Sequence, residues 1–272
     1  MGCSALAGMN EGGQPVYPAA IVVFRMFGGR FMSQPVCAIV GAGEGLGRAL
    51  AARFAGEGYA MALLSRSSEG SAAAMEAVRA HTGNVAFHAA DAGRPETVEA
   101  ALGTVAAEMG DIDVLIYNAR GSFTACAPLD MSYDALEDIF RVEVVGAYAA
   151  ARAVLPSMIA RGQGSIFFSS ATAAFRGSRT HPLYAIGKFG LRGLSQSLAK
   201  AYAPDGVHIV HVRLDCDLDV PIMREAYGER YDPASLASPD DVAQGYWLAH
   251  LQPKGAWSNE IELRPYTETW TY

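Results

Sequence analysis

From residue 35 onward, short apolar runs alternate with longer stretches whose apolar residues recur every three or four positions. A continuous apolar run of about five residues marks a strand buried on both faces, and a spacing near 3.6 marks a helix with one buried side. The pattern predicts strands over 36–40, 59–64, 85–88, 112–117, 165–169, 207–214 and 260–263. Between them it predicts helices over 46–55, 71–80, 95–109, 133–160, 183–202 and 239–251. Strands joined by helices pair in parallel, and right-handed crossovers then cover both faces of one sheet. The expected architecture is a single α/β domain with a doubly wound, seven-stranded parallel sheet and helices on both faces. Residues 1–33 are rich in Gly, Ala and Met and show no clear period, and Met32 stands just ahead of the first strand. They read as an N-terminal extension to a domain spanning 34–272.

The first predicted strand runs into Gly41-Ala-Gly-Glu-Gly-Leu-Gly47, and a helix follows at once. Glycines there let the backbone turn sharply and approach a pyrophosphate, while the helix N-terminus offers its amides to the phosphates. Leu46 occupies the third glycine of a GxGxxG pattern, but GxxxGxG fits as Gly41, Gly45 and Gly47. A tight turn alone would also use glycine; the position between strand and helix points to a Rossmann-type fold. Gly41, Gly43, Glu44, Gly45, Leu46 and Gly47 are then cofactor-binding candidates. At the end of the second strand stand Ser65 and Arg66, where NAD would call for a carboxylate. A hydroxyl and a guanidinium suit a 2′-phosphate, which predicts NADP(H) in preference to NAD(H). The alternative is an Arg66 that faces solvent.

Tyr184 and Lys188 are four residues apart at the start of a predicted helix, so they share one face. A phenol normally ionises near pH 10, and an adjacent ammonium favours the phenolate, which suits proton exchange. Such a pair also occurs on ordinary helix surfaces. Here Ser169 and Ser170 end the strand that precedes it, and parallel sheets bind ligands beyond their carboxyl ends. Ser170 is the candidate for holding a carbonyl beside the phenol; the spacing also admits Ser169 or Ala171.

With these residues together, the stretch from Pro35 to Pro265 resembles the short-chain dehydrogenase/reductase family. VGAGEGLG is similar to that family's TGxxxGxG turn, and Tyr117-Asn-Ala-Arg120 to its NNAG segment. The resemblance implies that Asp91 contacts adenine with Ala92 beside it, and that Asn118, Ala119 and Arg120 line the cofactor. It implies Tyr184 as proton donor to a ketone, Lys188 as its partner on the nicotinamide ribose, and Ser170 as the group that polarises the carbonyl. Four positions depart from the family. Glu143 stands where an Asn anchors a water-linked proton relay, and would take that catalytic place. Arg120 replaces the NNAG glycine. Asp215-Cys216 replaces a Pro-Gly, with Asp215 still counted among the cofactor residues. Val220 replaces a carboxamide-binding Thr. ATAAFRGS, FGLRGLSQSLAKAYAPDGVHIVHV and AWSNEIELRP are similar to a divergent bacterial branch that varies its catalytic set.

Composition adds exclusions. A net charge of −7 over 272 residues offers no broad basic face for nucleic acid. Four scattered cysteines and six histidines show no metal-ligand spacing, so no metal site is expected, and free thiols suit the cytoplasm. No apolar run approaches the ~18 residues of a membrane span, and no basic segment precedes the apolar stretch 19–24 as a secretory signal would require. Residues 217–231 are expected to form a flexible cover over the site, with Met223, Tyr227 and Tyr231 as substrate candidates or as ordinary packing. The long helices 133–160 and 183–202 match those that pair subunits in the family, which implies a homodimer or homotetramer. The leading function is NADP(H)-dependent interconversion of a small-molecule carbonyl and alcohol. The alternatives are a catalytically impaired cofactor-binding sensor and a reductase of C=C or C=N bonds on the same fold.

Overall fold

The computed structural model describes residues 34–269, and the predicted extension over 1–33 lies outside them. Among the described residues, seven strands form one sheet: β1 (Val36–Val40), β2 (Ala60–Ser65), β3 (Val85–Ala89), β4 (Ile112–Tyr117), β5 (Gly164–Ala171), β6 (Val207–Leu214) and β7 (Glu260–Leu263). Their order is β3-β2-β1-β4-β5-β6-β7, and each neighbouring pair is parallel. The winding changes direction between β1 and β4, which is the switch point where open α/β sheets bind ligands. The doubly wound sheet expected from the pattern is the one observed.

The helices are α1 (Leu46–Gly56), α2 (Ala72–Arg79), α3 (Pro95–Met109), α4 (Tyr133–Phe140), α5 (Gly146–Arg161), α6 (Pro182–Tyr202), α7 (Pro221–Tyr227) and α8 (Pro239–His250). Four of them open on proline, whose missing N–H costs no helix bond in the first turn. Side-chain parity splits the core in two. Ile112, Leu115, Ile166 and Phe168 face α3, α5 and α6, whereas Val114, Ile116, Phe167 and Val210 face α1, α2 and α8. Each strand is therefore buried on both sides, which is why it reads as an unbroken apolar run.

Most boundaries fall within two residues of the pattern, and three differences matter for the site. First, β5 continues through Ala171, so both Ser169 and Ser170 lie inside a regular strand. Second, the single helix expected over 133–160 is interrupted by a π-turn, Arg141–Val145, between α4 and α5. A π-turn widens the helix by one residue and displaces backbone carbonyls from the ladder. One of them, that of Val142, accepts a hydrogen bond from the buried Tyr117 hydroxyl. Third, the cover expected over 217–231 contains a short helix, α7.

Taken through its π-turn, the helical stretch Tyr133–Arg161 is long and apolar enough to cross a membrane, which corrects the expectation of no such run. Half of its most apolar window is buried within the fold. Ala147, Ala150, Val154 and Met158 belong to the core against the sheet.

Candidate active site

Strand parity separates the two serines that the sequence leaves open. Ser169 shares the face of Phe167, and its hydroxyl is 2.8 Å from that of Tyr246 on α8. It is a core residue. Ser170 falls on the opposite face with Phe168, toward α6, and its buried Oγ has no hydrogen-bond partner among the described residues. A buried hydroxyl without a partner is costly unless a ligand or water supplies one. Ala171 shares the parity of Ser169 and has no hydroxyl to offer.

Tyr184 and Lys188 lie in the first two turns of α6. The Lys188 ammonium sits 5.5 Å from the centre of the Tyr184 ring and is almost fully buried. Its Nζ donates to the Ser169 carbonyl at 3.1 Å and lies 2.8 Å from Oε2 of Glu143. Glu143 is itself completely buried, in the π-turn, and its Oε1 accepts the Gly121 N–H at 2.8 Å. Burial by itself pushes Lys188 toward the neutral amine. The charges of Glu143 and Tyr184 and the Glu143 contact outweigh that, and the ammonium is held above its usual range. Glu143 thus meets the lysine directly. An ammonium has three N–H donors, so one remains for a ligand.

Two glycines allow the close packing around this pair. A Cβ at Gly187 would lie 2.8 Å from Cγ of Glu143, and one at Gly121 would collide with Ile139. The sequence singled out neither; the signal was their position beside Arg120 and inside the Tyr-Lys turn.

The glycine turn is built as expected from its residues. Gly41 has φ +91°, and a Cβ there would stand 2.5 Å from the backbone nitrogen of Ala119. Gly47 packs on the Ala42 backbone, at 2.8 Å from where its Cβ would be. Gly43 faces open space, with nothing within 4 Å of that point. Glu44 is exposed and Leu46 is buried in the core, so only the backbone of Leu46, at the start of α1, is offered to a phosphate. Asn118 ties the end of β4 to this turn: its N–H donates to Val40 and its Nδ2 to the Gly41 carbonyl at 2.9 Å.

The remaining candidates divide. Arg66 is exposed, with no ion pair among the described residues, whereas the Ser65 hydroxyl is already bonded to the Ser67 carbonyl and the Ser71 hydroxyl. Asp91 closes its own turn by accepting the Gly93 N–H at 3.0 Å, and the half-buried Ala92 follows it. Asp215, expected to line the cofactor, has its carboxylate committed to Thr172, Arg213 and Arg264. Burial raises its pKa, but these three partners together hold it below the usual carboxylate range. Val220 lies over the glycine turn, its Cγ1 3.1 Å from the position of a Gly45 Cβ. On α7, Met223 is half-buried and the Tyr227 hydroxyl donates to Asp217 at 2.8 Å. Phe123 and His181, absent from the sequence candidates, stack at 4.2 Å, and Phe123 meets the Tyr184 ring edge-on at 4.9 Å. Among the described residues no group of three or more His, Cys, Asp or Glu is placed to hold a metal ion.

The sequence profile of the short chain dehydrogenase family matches residues 35–216. The chain is 33% identical over 202 residues to 3-dehydrosphinganine reductase TSC10B of Arabidopsis thaliana, a match that covers 73% of this chain and 59% of the relative. It is 34% identical over 170 residues to cis-2,3-dihydrobiphenyl-2,3-diol dehydrogenase of Paraburkholderia xenovorans, covering 61% of this chain and 60% of that one. The matches thus span about three fifths of these relatives' length. Among solved structures, a short-chain dehydrogenase from Rhodopseudomonas palustris superposes with a TM-score of 0.73 at 29% identity, covering 85% of this chain and 99% of that one. A metagenomic short-chain oxidoreductase in complex with NADP gives 0.74 at 26%, covering 86% and 98%. With the profile spanning the glycine turn, the serine strand and the Tyr184–Lys188 helix, this chain belongs to the short-chain dehydrogenase family.

Proposed function

We propose that this protein is an oxidoreductase that interconverts a carbonyl and an alcohol with a nicotinamide dinucleotide, NADP(H) in preference to NAD(H). The observation that carries the reading is the buried Lys188 ammonium one helical turn from Tyr184, on the face where Ser170 presents an unpartnered buried hydroxyl. The residues fit the dinucleotide. Gly43 leaves open space at the start of α1, Lys188 keeps one N–H donor, and Arg66 stands free at the end of β2 for a 2′-phosphate. The NADP-bound relative supports the same choice.

When bound, the cofactor would supply or accept the hydride at the carbonyl carbon. In reduction, Tyr184 gives its phenolic proton to the carbonyl oxygen, and in oxidation it takes that proton back. Ser170 donates a hydrogen bond to the same oxygen as its charge grows. Glu143 holds Lys188 in its charged form and fixes its direction. Met223 and Tyr227 on α7 are the proposed substrate-facing residues of the cover. One observation favours a second reading, the cofactor-binding sensor: Glu143 cancels the lysine charge that would otherwise act on the phenol.

Exposed apolar side chains support self-association. Phe140, Val145 and Tyr148 along α4–α5, with Ile186 and Phe189 on α6, project from the surface. We assign this face to a second copy of the chain.

Four measurements test the reading. Tyr184→Phe should lower kcat on ketones by about 10²–10⁴-fold with cofactor affinity retained; unchanged turnover excludes the phenol as proton donor, and wild-type cofactor binding without any turnover supports the sensor. Arg66→Ala should weaken NADPH about 10–100-fold, as lost charge-assisted hydrogen bonds imply, and leave NADH unaltered; equal effects on both would remove the 2′-phosphate assignment. Glu143→Leu and Lys188→Met should each cost about 3–5 kcal/mol in urea unfolding, with much of it recovered in the double variant; additive losses would show that the pair is not coupled. Sedimentation at micromolar concentration should give a dimer or tetramer mass, and a clean monomer would refute the shared face.

A further inference from the structure

Two loops border Tyr184. Residues 119–129 leave β4 and carry Phe123, and residues 172–183 join β5 to α6 and carry His181. They form one wall: the Cys126 N–H donates to the Thr180 carbonyl at 2.9 Å, and Phe123 lies flat on His181 at an interplanar angle of 9°. The guanidinium carbon of Arg120 is 5.8 Å from the Phe123 ring centre. The wall therefore runs from Arg120 across Phe123 to the edge of Tyr184.

Its charge is unlike that of the chain. The sequence holds 28 Asp and Glu against 21 Lys and Arg, yet the two connections carry Arg120, Arg176 and Arg179 against a single carboxylate, that of Asp130 at the far end of the first. All three arginines are exposed and make no ion pair among the described residues. Inside the site, Lys188 is matched by Glu143 at 2.8 Å. Arg120 is close enough to act against the charge of Lys188 and has no carboxylate of its own. Across the site, the carboxylates at the base of the cover are turned into local bonds, Asp217 with Tyr227 and Asp219 with Arg224 and Tyr231.

Resting on the oxidoreductase reading, we infer that Arg120 is a specificity residue that binds an oxyanion on the substrate, so that the substrate is a carbonyl or hydroxy compound bearing a carboxylate or phosphate ester. A guanidinium presents a planar fork to such a group, and a ring beneath it keeps the fork oriented. The carbonyl meets Tyr184 while the anion rests on Arg120 above Phe123. This uses the one basic departure from the NNAG segment and the excess of arginine over acid in the two loops.

The test compares matched substrates with NADPH: 3-oxobutanoate against its methyl ester, 4-oxopentanoate against its methyl ester, and dihydroxyacetone phosphate against dihydroxyacetone. The anionic member of at least one pair should have a kcat/KM about 10–100-fold above the neutral one, the range of a charge-assisted contact; which pair responds separates carboxylate from phosphate. Arg120→Ala should abolish that preference through KM, and Arg120→Lys should restore part of it. Neutral members handled as well as anionic ones overturn the inference. So does weakened NADPH binding in Arg120→Ala, which would place the arginine on the cofactor. The anion site has its own readout in calorimetric binding of glutarate to the NADPH-loaded protein. Glutarate binding that Arg120→Ala removes supports the site even if no ketone is turned over, an outcome that would sink only the oxidoreductase reading. Binding that the variant leaves intact overturns the site.

Discussion

A buried carboxylate facing a buried ammonium governs the construction around Tyr184. Either charge alone inside a protein costs several kcal/mol, and the pair is tolerable only when geometry is good and the remaining donors and acceptors are met. Glu143 and Lys188 meet most of that condition through their own contact, the Gly121 N–H and the Ser169 carbonyl, with one lysine N–H left over. The requirement propagates outward. Gly187 must lack a side chain to admit the glutamate, Gly121 must lack one to clear Ile139 while its N–H reaches the carboxylate, and the glutamate itself stands in the π-turn Arg141–Val145. Tyr117 then meets the Val142 carbonyl in that turn. Five separate stretches of sequence are thus coupled through one ion pair.

The same pair shapes what the site can recognise. With the lysine charge balanced internally, the positive charge left on the wall beside the phenol belongs to Arg120, and beyond it to Arg176 and Arg179 in the adjoining loop. A second buried set, Asp215 with Arg213, Arg264 and Thr172, ties the ends of β6 and β7 to the segment just after β5. It occupies the place where the family has Pro-Gly and anchors the backbone that leads to the Tyr184 loop. With Glu262 paired to both arginines, the sheet ends in two self-neutralised charge sets, which leaves Arg66 and Arg120 without an ion pair and Ser170 without a hydrogen-bond partner among the described residues.

Much of this was legible in the chain. Seven unbroken apolar runs separated by helical periods fix a parallel sheet because such strands are buried on both faces, and burial leaves a composition trace. The glycine turn is readable because Gly41 requires a positive φ and Gly47 a close backbone approach, demands that no other residue meets. Tyr184 and Lys188 are local partners on one helix, so four residues of spacing are enough to pair them.

The tertiary structure decided everything that depends on which side of a strand a residue faces or on who meets whom across the fold. Ser169 and Ser170 are adjacent and chemically identical; only the length of β5 and its parity give one to Tyr246 and leave the other open. The place of Glu143 at a relay position does not reveal that it meets Lys188 directly until α6 brings the two together, and the contact of Asp215 with Arg264 appears only once β7 lies beside β6. Local periodicity and spacing are written along the chain, whereas the partner of a buried charge is set by distant segments folding together, and that pairing has no signature in either segment alone.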